Sequence, residues 1–242
     1  MIKSLRNRSE TLFAVMFIAV YVIGNSLFNR ASESLGIEMV LTLPFNLLLI
    51  AVMLLFIVRN GLKEYYRLQK PQIPTAGMLY FIPLLPVVTV NIWFGIVPNK
   101  GLAEGLVYFF AMIAAGIAEE LIFRGFLFRA MSRKSLSSAV IFTSVLFGIG
   151  HIVNLFNGSG MKFTEGICQV FYAVSIGFLL AAVLVRGESL YPCMVTHAAF
   201  NALSLFANEP MHEKYQIPVA VSLCVISLAA AVYYLKSARG GK

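Results

Sequence analysis

The sequence contains no aspartate and is poor in charge of either sign: of 242 residues only 12% are charged, against 59% hydrophobic. Soluble domains carry about a quarter charged residues. A water-facing surface cannot be covered with so few, so lipid is the solvent this composition implies. Cysteine is also scarce. Cys168, Cys193 and Cys224 all lie in apolar runs and form no CxxC pair, which excludes a disulfide framework and a structural zinc site. They read as small buried hydrophobes. There is no HExxH, no HxxEH and no GxSxG, so neither a familiar zinc-protease motif nor a serine nucleophile elbow is present. No apolar-run cysteine has a histidine at helical spacing on its own face, which disfavours a cysteine nucleophile. There is no repeat, no low-complexity stretch and no separate polar domain.

Long apolar runs take the place of these features. A membrane span needs about 20 mostly apolar residues, and eight runs qualify as candidates: 11–28, 37–58, 76–97, 105–128, 138–157, 165–185, 190–207 and 216–235. The predicted fold is all-α, a polytopic bundle of about eight spans forming a single membrane domain over 1–242. The third run, with Pro83 and Pro86, and the short, polar seventh fit least well. Pro71 and Pro74 bracket the exit of the longest linker. Lys3, Arg6 and Arg8 precede the first run, but no small-residue cleavage pattern follows it, so an uncleaved first span is expected.

The net charge is +8. The basic residues sit in short loops and form no continuous stripe, so nucleic acid is not the expected partner. Loop Lys and Arg instead set orientation and touch anionic headgroups. With the N-terminus placed in the cytoplasm, the cytoplasmic segments hold Lys3, Arg6, Arg8, Arg59, Lys63, Arg67, Lys70, Arg129, Arg133, Lys134, Arg186, Lys236, Arg239 and Lys242. The opposite side holds only Arg30, Lys100, Lys162 and Lys214. That skew predicts a cell-membrane protein with both termini cytoplasmic. Trp93, Tyr108 and Tyr191 fall near run ends, as interfacial aromatics do. His212, between Glu209 and Glu213, is expected in a solvated outside loop.

An ionisable group inside a bilayer costs about 3 kcal/mol or more and marks a functional site by default. Five stand out: Glu119, Glu120 and Arg124 in the fourth run, His151 in the fifth and His197 in the seventh. Neighbouring helical residues point about 100° apart, so the two carboxylates cannot share one direction. Glu120 and Arg124 are spaced i, i+4 and can pair, a structural ion pair that leaves Glu119 free. At 1.5 Å per residue, Glu119 lies about 15 Å, His151 about 20 Å and His197 about 10 Å from the cytoplasmic face. Asn201 follows His197 by four and shares its face. Phe147 precedes His151 by four and is expected to shape or dry the cavity.

A carboxylate, two imidazoles and an amide suit hydrolysis of a carbonyl. Glu119 would act as general base on a water, with His151 holding that water or relaying its proton. His197 and Asn201 would stabilise the oxyanion. A second version uses a divalent metal: Glu119, His151 and His197 form an acceptable catalytic zinc set with one open position. The residues alone leave both versions open. A transporter is the reading from another class, since buried Glu, His and Arg also mark proton and substrate paths. Against it, no inverted repeat is detectable.

Glu119-Glu120-Leu121-Ile122-Phe123-Arg124 has the form EExxxR, Phe147 to His151 is FxxxH, and His197 to Asn201 is HxxxN. In this order, on separate runs, they resemble the CPBP intramembrane protease family, also called the Abi or CAAX-protease family, which includes the CAAX prenyl endopeptidase. The resemblance covers roughly 105–207 and no motif position departs from it. It implies an eight-helix membrane peptidase with a cavity open to the cytoplasm. The first Glu of the pair, here Glu119, would activate water, and Glu120 and Arg124 would support it. Such proteins are commonly described as metalloproteases, and a metal-free, glutamate-dependent mechanism has also been proposed. The implied substrate is a membrane-associated or lipidated peptide. Bacterial members are linked to peptide maturation, bacteriocin self-immunity and membrane-protein processing, and an inactive member would act as an immunity or scaffold protein.

Overall fold

A computed structural model describes residues 2–73, 80–155 and 161–239. Pro74, residues 76–79 of the third expected run, 156–157 of the fifth and Lys242 lie outside the described residues. A short helix, Ile2–Arg8, leads into α1 (Glu10–Ser34). Ser9 starts α1: its side chain accepts the Leu12 N–H at 3.2 Å, and Glu10 occupies the first turn, where the helix dipole favours an anion. The further helices are α2 (Thr42–Arg59), α3 (Leu84–Thr89), α4 (Leu102–Glu120), α5 (Leu136–Gly150), α6 (Phe163–Gly187), α7 (Tyr191–Leu203) and α8 (Gln216–Arg239). No strand occurs among the described residues, so the all-α expectation is met.

Six segments are long and apolar enough to cross a membrane among the described residues: Glu10–Ser34, Thr42–Arg59, Leu102–Ser132, Leu136–Leu155, Phe163–Gly187 and Gln216–Ser237. They correspond to the first, second, fourth, fifth, sixth and eighth expected runs. The third and seventh are not among them. Pro83 and Pro86 lack an amide hydrogen and stand at the start of α3, Pro83 before its first residue and Pro86 in its first turn; α3 has 6 residues before it tightens into a 3₁₀ turn at Val90–Ile92. The seventh run yields α7, with 13 residues. At 1.5 Å per residue that is about 20 Å, short of a hydrocarbon core of about 30 Å.

These two short segments hold each other. The Asn91 amide donates to the Phe200 carbonyl at 2.7 Å, and that of Asn208 to Phe94 at 3.2 Å. The Val97 N–H reaches the Phe206 carbonyl at 3.0 Å. Buried backbone groups that lack a helical partner are satisfied by such bonds. His212 belongs to this joint and not to a solvated loop: its Nε2–H donates to the Asn91 carbonyl at 3.1 Å and its ring packs edge-on against Phe94 at 5.1 Å.

The most enclosed of the six long helices is α6, with 56% of its apolar window buried, packed between α5 and α8. Its approach to α5 depends on Gly148, where an added Cβ would lie 2.6 Å from the Val174 backbone nitrogen. Small residues of this kind let membrane helices pack backbone to backbone. The outer faces carry exposed Leu47, Leu48 and Leu55 on α2 and Val221, Val225 and Tyr233 on α8, as lipid-facing surfaces do.

Candidate active site

Gly116 on α4 lies against α7. A Cβ there would sit 2.8 Å from the Ala198 backbone nitrogen and 3.0 Å from the His197 carbonyl carbon. Only hydrogen fits. One turn further along α4 come Glu119 and Glu120, so this crossing sets the distance from the two carboxylates to the His197 ring.

Beyond Glu120 the helix widens into a π-helical stretch, Leu121–Leu127, in which every residue is buried, before resuming at Phe128–Ser132. Such widenings often accompany functional sites. Within it Arg124 Nη1 donates to Glu120 Oε1 at 3.0 Å, both side chains being fully enclosed. The pair is the one the spacing predicts. Arg124 Nη2 also reaches the Gly177 carbonyl of α6 at 3.5 Å, and the guanidinium stands 4.2 Å from the centre of the Phe147 ring.

Glu120 has a second task that the sequence did not reveal. The oxygen that takes Arg124 also accepts from His197 Nδ1 at 2.9 Å. With the Nδ1 proton held there, Nε2 faces Glu119, whose Oε2 is 3.5 Å away. A carboxylate that fixes one ring nitrogen so that the other can act is the arrangement that orients imidazole in hydrolytic triads. Glu119 Oε1 accepts the Tyr21 hydroxyl of α1 at 2.5 Å. Its Oε2 is buried without a hydrogen-bond partner among the described residues, as are Glu120 Oε2 and Arg124 Nε.

His151 ends α5 and starts a 3₁₀ turn, His151–Leu155. Its Nδ1 is 3.1 Å from the Phe147 carbonyl. A carbonyl only accepts, so Nδ1 carries the hydrogen and Nε2 of the neutral ring keeps its lone pair. The Phe147 ring is 5.0 Å from the His151 ring and 5.5 Å from that of His197, edge-on to both. A cavity of about 50 Å³ is lined by Phe147, His151, His197 and Asn201, with Gln169 and Tyr172 of α6. Its wall is mixed, with Val87, Ile176, Leu180 and Phe200 beside these polar groups, and it is large enough for water. Glu119 is not in its wall and connects to it through His197.

Residues 102–203 match the family model described as type II CAAX prenyl endopeptidase Rce1-like. Over that segment the chain is similar to the Rce1-like family. The match contains Glu119, Glu120, Arg124, His151, His197 and Asn201, and its bounds lie close to the expected 105–207. No curated protein matches the chain in sequence.

The candidate site draws on residues outside the three motifs. Tyr21 lies beyond the matched segment. Its signal in the sequence is slight: a tyrosine four residues before Asn25, whose amide pairs with Asn46 at 3.2 Å. Polar residues at i, i+4 in an apolar run mark an inward face. Gln169, which accepts from Asn154 at 3.0 Å, and Tyr172 escape a search confined to ionisable groups, of which the sixth run has none. As for a metal, no group of three or more His, Cys, Asp or Glu among the described residues is placed to hold an ion. The predicted ligand set of Glu119, His151 and His197 therefore does not close on one point in this arrangement.

Proposed function

We propose that the protein is an intramembrane endopeptidase that hydrolyses a peptide bond of a prenylated or otherwise membrane-associated peptide. The observation that carries this is the meeting of His151, His197 and Asn201 on one cavity, with Glu119 Oε2 buried, unpartnered and 3.5 Å from His197. Water at the edge of that cavity gives a proton to Glu119, and the His151 Nε2 lone pair holds it in place. The resulting hydroxide attacks the carbonyl carbon. The developing oxyanion is stabilised by the Asn201 amide and by His197, whose ring is held through Nδ1 by Glu120. Each such donor contributes about 3–4 kcal/mol in a site shielded from water. The intermediate collapses with cleavage of the C–N bond, and the proton on Glu119 passes to the leaving amine.

In this scheme Glu120 and Arg124 are positioning residues. The charge skew of the loops supports placing the protein in the cell membrane, as one domain, with both termini cytoplasmic. In the alternative version, a zinc ion on Glu119 and the two imidazoles would supply Lewis acidity, which requires the three side chains to draw together.

The test is turnover of a panel of fluorogenic prenylated and membrane peptides by purified protein. Glu119→Ala, His151→Ala and His197→Ala should each lose several orders of magnitude in rate while remaining inserted. Unchanged turnover in Glu119→Ala would end the mechanism. Chelator decides the metal question: loss with zinc rescue selects the metal version, and indifference selects the carboxylate acting alone.

A further inference from the structure

A second cavity, of about 1000 Å³, opens at the end of the bundle where the loop arginines gather, and none of His151, His197 and Asn201 lines it. The end of the π-widened fourth segment, α5, α6, α8 and the stretch after α2 enclose it. Its polar wall holds Arg67, Arg124, Arg129 and Arg186, with Glu188 as the acidic member. Glu188 is taken by Arg67 at 2.6 Å, and Arg124 by Glu120 at 3.0 Å. Arg129 and Arg186 form no ion pair among the described residues, and Arg129 Nε is buried with no hydrogen-bond partner. The Arg129 guanidinium stands 4.5 Å from the Tyr65 ring centre. Burial, and then the hydrogen bond to Glu10, push the Tyr65 phenol above its usual range, so Tyr65 offers Arg129 a ring face and no negative charge. The wall carries uncompensated positive charge in a partly enclosed space.

The other side is apolar. Val140 and Ile141 of α5 and Leu228, Val232 and Leu235 of α8 line it. Ile141, Leu228 and Val232 are 52%, 42% and 50% exposed, so this wall runs on into the lipid-facing surface of both helices. Small-molecule sites span about 300–1,000 Å³, and a bare inorganic anion would leave most of this one empty. A cationic head region continuous with an apolar flank open to the bilayer fits a molecule with an anionic head and long hydrocarbon chains.

We propose that this cavity binds one anionic phospholipid, its phosphate on Arg129 and Arg186 and an acyl chain along Ile141, Leu228 and Val232. The site shares Arg124 with the Glu120 pair but contains none of His151, His197 and Asn201, and it stands whether or not the protein is a protease. The full-length protein, stripped of lipid in detergent, is titrated with phosphatidylglycerol, phosphatidylcholine or inorganic phosphate and read by native mass spectrometry. One phosphatidylglycerol per chain should bind roughly tenfold tighter than phosphatidylcholine or phosphate. An Arg129→Gln/Arg186→Gln variant should lose about tenfold of that affinity. Val232→Trp, on an exposed face where a large side chain is tolerated, should lose a similar factor with every charge in place. Unchanged phosphatidylglycerol binding in either inserted variant overturns the proposal. So does phosphatidylcholine binding as tightly, phosphate binding as tightly (a free-anion site), or displacement of the bound phosphatidylglycerol by a membrane-peptide substrate (a peptide site).

Discussion

The Tyr21 hydroxyl of α1 donates to Glu119 Oε1 at 2.5 Å, joining the first long helix to the carboxylate at the centre of the proposed chemistry. The bond occupies one oxygen and leaves Oε2 for water. Hydrogen bonds to a charged group contribute about 1.5–3 kcal/mol. Tyr21→Phe should therefore lower kcat about tenfold with KM and folded yield unchanged. A KM effect alone, measured on the same peptide panel, would place Tyr21 in substrate binding.

The Gly116 crossing makes a second prediction. Gly116→Val forces a side chain into the Ala198 backbone, where even a Cβ lies at 2.8 Å. Overpacking costs about 1–3 kcal/mol, and the helices must part. Thermal unfolding in detergent should shift down by several degrees, with activity reduced more than stability because His197 draws away from Glu119 and Glu120. Normal activity would show that α4 and α7 need not touch.

The Glu120–Arg124–His197 chain predicts an asymmetry. Arg124→Leu leaves Glu120 buried and uncompensated, at a cost of about 3–5 kcal/mol, so yield and activity should both fall. In Glu120→Leu/Arg124→Leu no charge is stranded, and yield should recover. Activity should not, because His197 Nδ1 has lost the acceptor 2.9 Å away. Recovery of both would reduce Glu120 to a helix-packing group.

The motifs and helices were legible because they depend on local spacing. Glu120 and Arg124, four apart, pair as the helical repeat dictates, and the six long apolar runs became helices of spanning length. The third and seventh runs do not form single helices of spanning length among the described residues, because hydropathy records how apolar a stretch is and not where its helix stops. Pro83 starts the one late and the 3₁₀ turn at Val90–Ile92 ends it, and the turn after Leu203 ends the other. The bond from His197 to Glu120 was hidden for a different reason. It joins residues far apart in sequence, and ring rotation is set by packing that no periodicity reports. Gly116 was hidden because closeness to α7 is a property of the pair and not of either helix. His212 looked solvated from its acidic neighbours, yet Phe94 and the Asn91 carbonyl claim it.

Phe147 meets the Arg124 guanidinium at its face and two imidazoles at its edge, at 4.2, 5.0 and 5.5 Å. A single aromatic wedge thus indexes side chains from three helices, and none of the three can re-aim without displacing it. Replacing any one of them leaves the other two clamped; truncating the wedge frees all three together.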